Sequence, residues 1–312
     1  MEVILFGRRH LIGMCKNMEK RTSKLCSISE AVAKIKDGYR VAFGGFAVYQ
    51  KPMAIVREIV RQHKRNLTIV GVVNSLDVDM LVGAGCVSKV ETSYVGLEKY
   101  GLAPNYRRAV QNGEIEVAYF PEMLSWDRFR ADREGWPYWP VYYLGDCEIV
   151  LRNKDIIKYS CPVTGKPVWA IPSAKADVVI VHAYQGDKYG NLQLPERHLL
   201  PQIQDADFVR SCKNVIATVE KLVDTEEIKL HPERTFSLSF RCTNVVNAPF
   251  GSHPTATLLA KKEDEQHFQI YCAAAKSKET FEQYLKEYVY TENGEADYVA
   301  KISKTNIVYG GK

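Results

Sequence analysis

A short apolar run that ends in two glycines and meets a proline a few residues later leaves a chain few local folds. Here the run is Asp37-Gly38-Tyr39-Arg40-Val41-Ala42-Phe43-Gly44-Gly45-Phe46-Ala47-Val48-Tyr49-Gln50-Lys51-Pro52. Val41-Ala42-Phe43 is short and apolar enough for an interior strand, and Gly38 stands where the amphipathic stretch Ser29 to Lys36 should meet a C-terminal cap. Pro52 suits the first turn of the next helix. Gly44 and Gly45 bare the backbone at the strand's C-terminal end, so the pattern predicts a turn against whose N–H groups a ligand can lie.

Beyond this turn, strand-like and helix-like runs alternate. Met53, Val56, Ile59 and Val60 mark the buried stripe of a helix, and Leu67 to Val73 reads as the next strand. Met80-Leu81-Val82 leads to Val90–Val95, and a helix over Pro104–Gln111 leads to a strand over Ile115–Phe120. The cadence predicts βαβ units and an open, mostly parallel sheet flanked by helices, an α/β fold. It blurs between Trp136 and Val168, rich in Trp, Tyr and Pro, which reads as an insertion or long connection. Val178-Val179-Ile180-Val181 and Val215 to Val219 resume it, and Lys276–Tyr290 has the look of an amphipathic helix. No short repeat or low-complexity linker divides the chain, which favours one large domain.

With 312 residues, 46% of them hydrophobic and a formal charge of +5, the chain can bury a large core, and its cations give no basis for a nucleic-acid partner. A mild basic balance would suit an acidic ligand such as a phosphate. Eight cysteines without a C-x-x-C pair argue against a zinc site or a disulfide scaffold, and no metal is expected. No stretch approaches transmembrane length, and the apolar run after Met1 is too short for a signal peptide. Reduced thiols and a cytoplasmic location are the expectation. Met18 opens a second plausible start, so residues 1–17 are expected to be a disordered extension or to follow an upstream start codon.

The opening motif resembles the signature of the α subunit of family I coenzyme A transferases: Asp/Asn-Gly, two free positions, three apolar residues, Gly-Gly-Phe, three free positions, Gly, any residue, Pro. Gln50 replaces the last glycine. Further segments are similar in the same order: Ser93-Tyr94-Val95-Gly96, Gly113-Glu114-Ile115-Glu116-Val117, Gly135-Trp136-Pro137-Tyr138-Trp139-Pro140-Val141 and Ala248-Pro249-Phe250-Gly251-Ser252-His253-Pro254, the last two in the manner of the glutaconate-type branch. The resemblance implies a transferase α-subunit domain over 18–312, of an architecture related to the sugar-phosphate isomerases. It implies coenzyme A as substrate, no tightly bound cofactor, and transfer of CoA between an acyl-CoA and a carboxylic acid. In that family the nucleophile is a glutamate in a Ser-Glu-Asn-Gly motif of the β subunit. This chain has no such motif, so the resemblance implies a hetero-oligomer, dimeric or tetrameric, whose partner supplies the nucleophile.

The resemblance also implies site residues. The backbone of Gly44, Gly45, Phe46 and Gly96 would shape the thioester site, and His253, Gly251 and Lys51 are candidate substrate-site residues. Glu122 is the candidate catalytic residue. The matching position in transferases of the succinyl-CoA and glutaconate types is a glutamine able to donate to an oxyanion, whereas steroid ring-opening CoA hydrolases carry a glutamate there. Those hydrolases also carry a segment similar to Gln50-Lys51-Pro52-Met53-Ala54. Glu122 therefore leaves open a second reading, a CoA-thioester hydrolase that cleaves a C–C bond of a cyclic diketone with Glu122 activating water. A plain acidic cap in the first turn of a helix beginning near Leu124 accounts for the same residue. A non-catalytic CoA-binding or assembly subunit is a third reading. Arg107 and Arg108 read as anion contacts or surface residues by their type alone, and Asp187 to Asn191 reads as a turn needing positive φ at Gly190.

Overall fold

A computed structural model describes residues 21–142, 144–145, 147–197 and 203–303. The expected extension at 1–17 lies outside the described residues. Helices α1 (Ile28–Ala33), α2 (Met53–Arg61), α3 (Leu76–Gly83), α4 (Pro104–Gln111) and α5 (Glu122–Glu134) alternate with strands β1 (Arg40–Phe43), β2 (Leu67–Val70), β3 (Val73–Asn74), β4 (Val87–Thr92), β5 (Tyr94–Val95) and β6 (Glu116–Tyr119). After β7 (Tyr138–Val141), α6 (Glu148–Arg152), β8 (Ile157–Ser160) and β9 (Pro167–Pro172) come β10 (Val178–Gly186), β11 (Leu192–Gln193), α7 (Gln204–Ser211), β12 (Val215–Leu222), α8 (Thr225–Leu230), β13 (Thr235–Ser237) and β14 (Asn244–Asn247). Helices α9 (Glu265–Ala274), α10 (Lys278–Tyr288) and α11 (Glu295–Ile302) follow.

The main sheet has nine strands. Its parallel part begins in the middle, at β1. From there the chain steps outward through β2, β4 and β6, then returns to lay β10 on the other flank of β1 and continues through β12 to β14. The order of strands therefore reverses between β1 and β10, and in an open α/β sheet such a switch leaves a crevice beyond the strands' carboxyl ends. Strands β11 and β13 add antiparallel beside the end of β10.

Alternation along the buried strands fills two cores. Val41, Phe43, Val178 and Ile180 pack with helices α1 to α4 and the C-terminal helices, while Ala42, Val179, Val181 and Ala183 pack against Phe129 of α5 and Phe208 of α7. Both faces of the sheet are thus covered, as a parallel sheet requires. The aromatic stretch after Trp136 forms a three-stranded antiparallel sheet, β7-β9-β8, over its own small core of Phe120, Leu124, Val150, Trp169 and Ile171.

Three local expectations shift. Helix α1 stops at Ala33, and Gly38 turns with φ 79° beyond its end rather than capping it. The strand expected over Leu67–Val73 breaks at Gly71, where a Cβ would stand 2.0 Å from the Asn74 side chain. Helix α5 begins at Glu122 itself, not near Leu124. Gly190 does turn with φ 93°, and Asp187 takes the Tyr189 and Asn191 amides, so that loop is held by its own hydrogen bonds.

Candidate active site

The crevice at the switch point starts from Gly44. Its N–H continues the ladder to Ile180 O at 2.8 Å, and an added Cβ would stand 2.7 Å from Asp205 Oδ1 and 2.9 Å from Val181. Gly45 follows with φ 72°, and there a Cβ would meet the Gln50 carbonyl at 2.5 Å. Each glycine is therefore required by the turn's own packing. The expected free N–H groups are absent: Gly45 donates to Asp205 Oδ1 at 2.9 Å, Phe46 to Tyr49 O at 2.9 Å, and Ala47 to Val73 O at 3.4 Å. Backbone N–H groups lost to internal partners cannot receive a ligand without rearrangement. What the turn offers is a close-packed platform carrying Phe46.

Lys51 lies under that platform. Its Nζ donates to Gly45 O at 3.1 Å and Val73 O at 2.9 Å and pairs with Asp77 at 3.4 Å, fully buried. A lysine spent on three partners in the interior is a strut, and it does not reach into the crevice. Gln50, at the position of the missing glycine, keeps φ 53° and sends its amide to His182 O at 3.2 Å.

Above the platform opens a cleft of about 470 Å³, walled by Phe46, Val73, Tyr94, Phe120, Pro121 and Ile149 and carrying Ser93, Glu98 and Glu122. Glu122 is the exposed first residue of α5, whose N-terminus favours a negative group. Burial and the nearby Glu98 carboxylate raise the pKa of the Tyr94 phenol. Gly96 lies beneath Tyr94: a Cβ there would sit 2.1 Å from the phenol oxygen. The sequence pattern brought out Gly96 and passed over Tyr94 and Glu98. A glycine two residues after a tyrosine was the available signal, because in extended chain the two positions share a face and the glycine leaves it open to the ring.

Phe46 and Glu122 thus meet in one cleft, with Gly44, Gly45 and Lys51 below it and Gly96 behind Tyr94. His253 and Gly251 are not in it. His253 is buried between Tyr298, at 2.7 Å from Nδ1, and Asp264, at 3.1 Å from Nε2, and burial lowers its pKa. Its carbonyl takes Arg57 at 2.8 Å, and the Gly251 carbonyl takes the Ala54 amide at 2.8 Å. His253 thus joins the C-terminal helices to α2, and Gly251 ties its own loop to the start of α2. Arg108 likewise closes the end of α9 through Ala275 O, while Arg107 is exposed. Among the described residues, no group of three or more His, Cys, Asp or Glu side chains could hold a metal ion, and no helix is long and apolar enough to cross a membrane.

Residues 26–248 match the family model described as Coenzyme A transferase. The chain belongs to the coenzyme A transferase family. Within it, the chain is 29% identical to one subunit of the 3-oxoadipate CoA-transferase of Pseudomonas knackmussii, over 90% of this chain and 99% of that one. It is 27% identical to the cholesterol ring-cleaving hydrolase IpdA subunit of Rhodococcus jostii, over 92% and 98%. The glutaconate coenzyme A-transferase of Acidaminococcus fermentans superposes with a TM-score of 0.86 at 25% identity, covering 92% of this chain and 96% of that one. The shared scaffold is the mostly parallel central sheet flanked by helices.

Proposed function

We propose that this chain is the α subunit of a hetero-oligomeric CoA-transferase that moves CoA between an acyl-CoA and a carboxylic acid, the glutamate nucleophile coming from a β subunit. The observation that carries the reading is the meeting of Phe46 and Glu122 in one cleft at the carboxyl ends of the parallel strands, on a chain of this family. The partner's carboxylate attacks the thioester carbonyl and forms an acyl anhydride while CoA leaves as thiolate. The thiolate then attacks the glutamyl carbonyl and releases the first acid, leaving a glutamyl-CoA thioester. The incoming acid reverses the two steps, so each is an easier displacement than direct exchange.

This chain's own part is the wall and floor. Phe46, Phe120 and Ile149 exclude water beside the reacting carbonyl, and Glu122 orients the acyl group or the acid that replaces it. No resident cofactor enters the reaction; CoA arrives and leaves as substrate. Seven described cysteines are free thiols, which fits a cytoplasmic enzyme.

Hydrolysis is the second reading, and it rests on Glu122 being a carboxylate, which accepts a proton from water but donates nothing to an oxyanion. The two part in the complex of this chain with its β subunit, assayed with 3-oxoadipyl-CoA or glutaconyl-CoA and acetate. Transfer predicts acetyl-CoA formation that survives Glu122→Gln within about tenfold, since glutamine can occupy the position. Ring opening of a cyclic diketone CoA thioester by water with its CoA retained, abolished by Glu122→Gln, and no acetyl-CoA from either acyl-CoA, would establish the hydrolase instead.

A further inference from the structure

Asp205 has no role in the transfer chemistry, yet it is the carboxylate nearest the platform. It is the second residue of α7, 1% exposed, and its Oδ1 accepts the Gly45 N–H at 2.9 Å. Its neighbour Gln204, equally buried, donates to the Gly45 carbonyl at 2.7 Å, on the same oxygen that Lys51 holds at 3.1 Å. The peptide groups on both sides of Gly45 are thus gripped from beneath by two adjacent residues of one helix. Helix α7 is in turn braced on α5, the helix that opens with Glu122: Phe129 stacks on Phe208 with ring centroids 3.8 Å apart, and Trp126 donates to Asp207 at 2.7 Å.

We propose that Asp205 is a positioning residue, with Gln204 its companion, fixing the Gly44-Gly45-Phe46 turn at a set distance from Glu122 by occupying the Gly45 amide. It touches no substrate. A carboxylate is suited to the task because a charged or strongly polar acceptor in a dry interior makes a short, directional bond to an N–H. The space it occupies is also the space Gly44 leaves by having no side chain, so the turn and the clamp are one packing unit. The inference rests on the reading of the cleft as the thioester site.

The test is amide hydrogen exchange on the full chain, followed by kinetics in the complex with the β subunit. Asp205→Ala should speed exchange of the 44–47 amides by about tenfold or more while the amides of β1 stay protected. It should lower kcat about tenfold or more with KM changed by less than about threefold, because a displaced wall costs orientation more than affinity. Asp205→Asn keeps an acceptor at the same place and should restore both. If Asp205→Ala does not fold, Gln204→Ala, which leaves the Gly45 carbonyl to Lys51 alone, carries the same exchange prediction. Unchanged exchange at 44–47, or an asparagine variant as loose as the alanine one, overturns the inference whatever the activity. Looser exchange with wild-type turnover overturns it as well, since the clamp would then serve nothing in the site. The reading of the cleft fails separately, if Gly45→Val and Glu122→Ala both leave turnover intact in an assembled complex.

Discussion

A carboxyl group sealed against two glycines and a lysine titrates unlike one in water. Burial raises Asp205 from its ordinary 3.8 to about 7, with the Gly45 N–H and Lys51, itself paired with Asp77, pulling the other way. Between those two values the native state keeps a proton that the unfolded chain has lost. Stability contributed at this site therefore falls as pH rises from about 4 to 7. Asparagine does not titrate, so Asp205→Asn should gain stability relative to the wild type as pH rises. Urea midpoints of both proteins at pH 5 and pH 8 check it, and a constant difference would refute it. Lys51→Met is the harsher change at this scale. It leaves the buried Asp77 without its cation and takes one donor from each of the Gly45 and Val73 carbonyls, and it should cost about 3–5 kcal/mol, read from the same denaturation curves. Residue chemistry was legible where a rigid backbone needed it: Gly44, Gly45 and Gly190 were identified as turn residues from their surroundings in the chain. Asp205 and Gln204 were not, because a partner 160 residues away in sequence, as Gly45 is from Asp205, leaves no local pattern.

The elements that carry the site are joined more tightly than their sequence separation implies. Helix α5 presents Glu122 at one end and packs Phe129 against Phe208 of α7, which holds the glycine turn. Phe129 is fully buried, so Phe129→Ala should cost about 3–5 kcal/mol and also loosen the Gly45 region. A urea midpoint lowered without any change in exchange at 44–47 would show that the two helices do not act together. Elsewhere along α5, Arg128 joins Arg40 in clamping Glu91. Burial alone would raise its carboxyl, but the two guanidiniums overcome that and hold it near 2. Its contribution is present above the ordinary 4.5 and lost as pH falls toward 2, so Glu91→Gln should flatten the acid limb of the stability curve, followed by circular dichroism from pH 5 to 2. Periodicity found α4 over its full length and the cores of β1, β10 and β12. It missed the three-stranded sheet of β7, β8 and β9, whose Pro and Trp positions carry no period-2 alternation, and the break at Gly71, which an asparagine side chain three residues on dictates.

On the proposed function, the molecule as a whole places one half of a site on a finished scaffold. Its parallel sheet turns back on itself between β1 and β10, and the cleft beyond that point has apolar walls and two acidic groups but, among its described lining, no serine or cysteine set against a base. That architecture follows from the strand–glycine–helix pattern and the βαβ cadence, both visible in the chain. The missing nucleophile was visible too, as the lack of a Ser-Glu-Asn-Gly segment. The choice between transfer and hydrolysis was not, because on the proposed function it depends on a carboxylate of another polypeptide. On the proposed function, that other polypeptide carries the covalent chemistry. The direct measurement is intact-mass spectrometry of the complex after incubation with 3-oxoadipyl-CoA or glutaconyl-CoA, with borohydride reduction of a parallel sample. The prediction is a CoA adduct confined to the β subunit, lost on reduction, with this chain unmodified. An adduct on this chain, or turnover through a complex in which neither chain is ever modified, would contradict it.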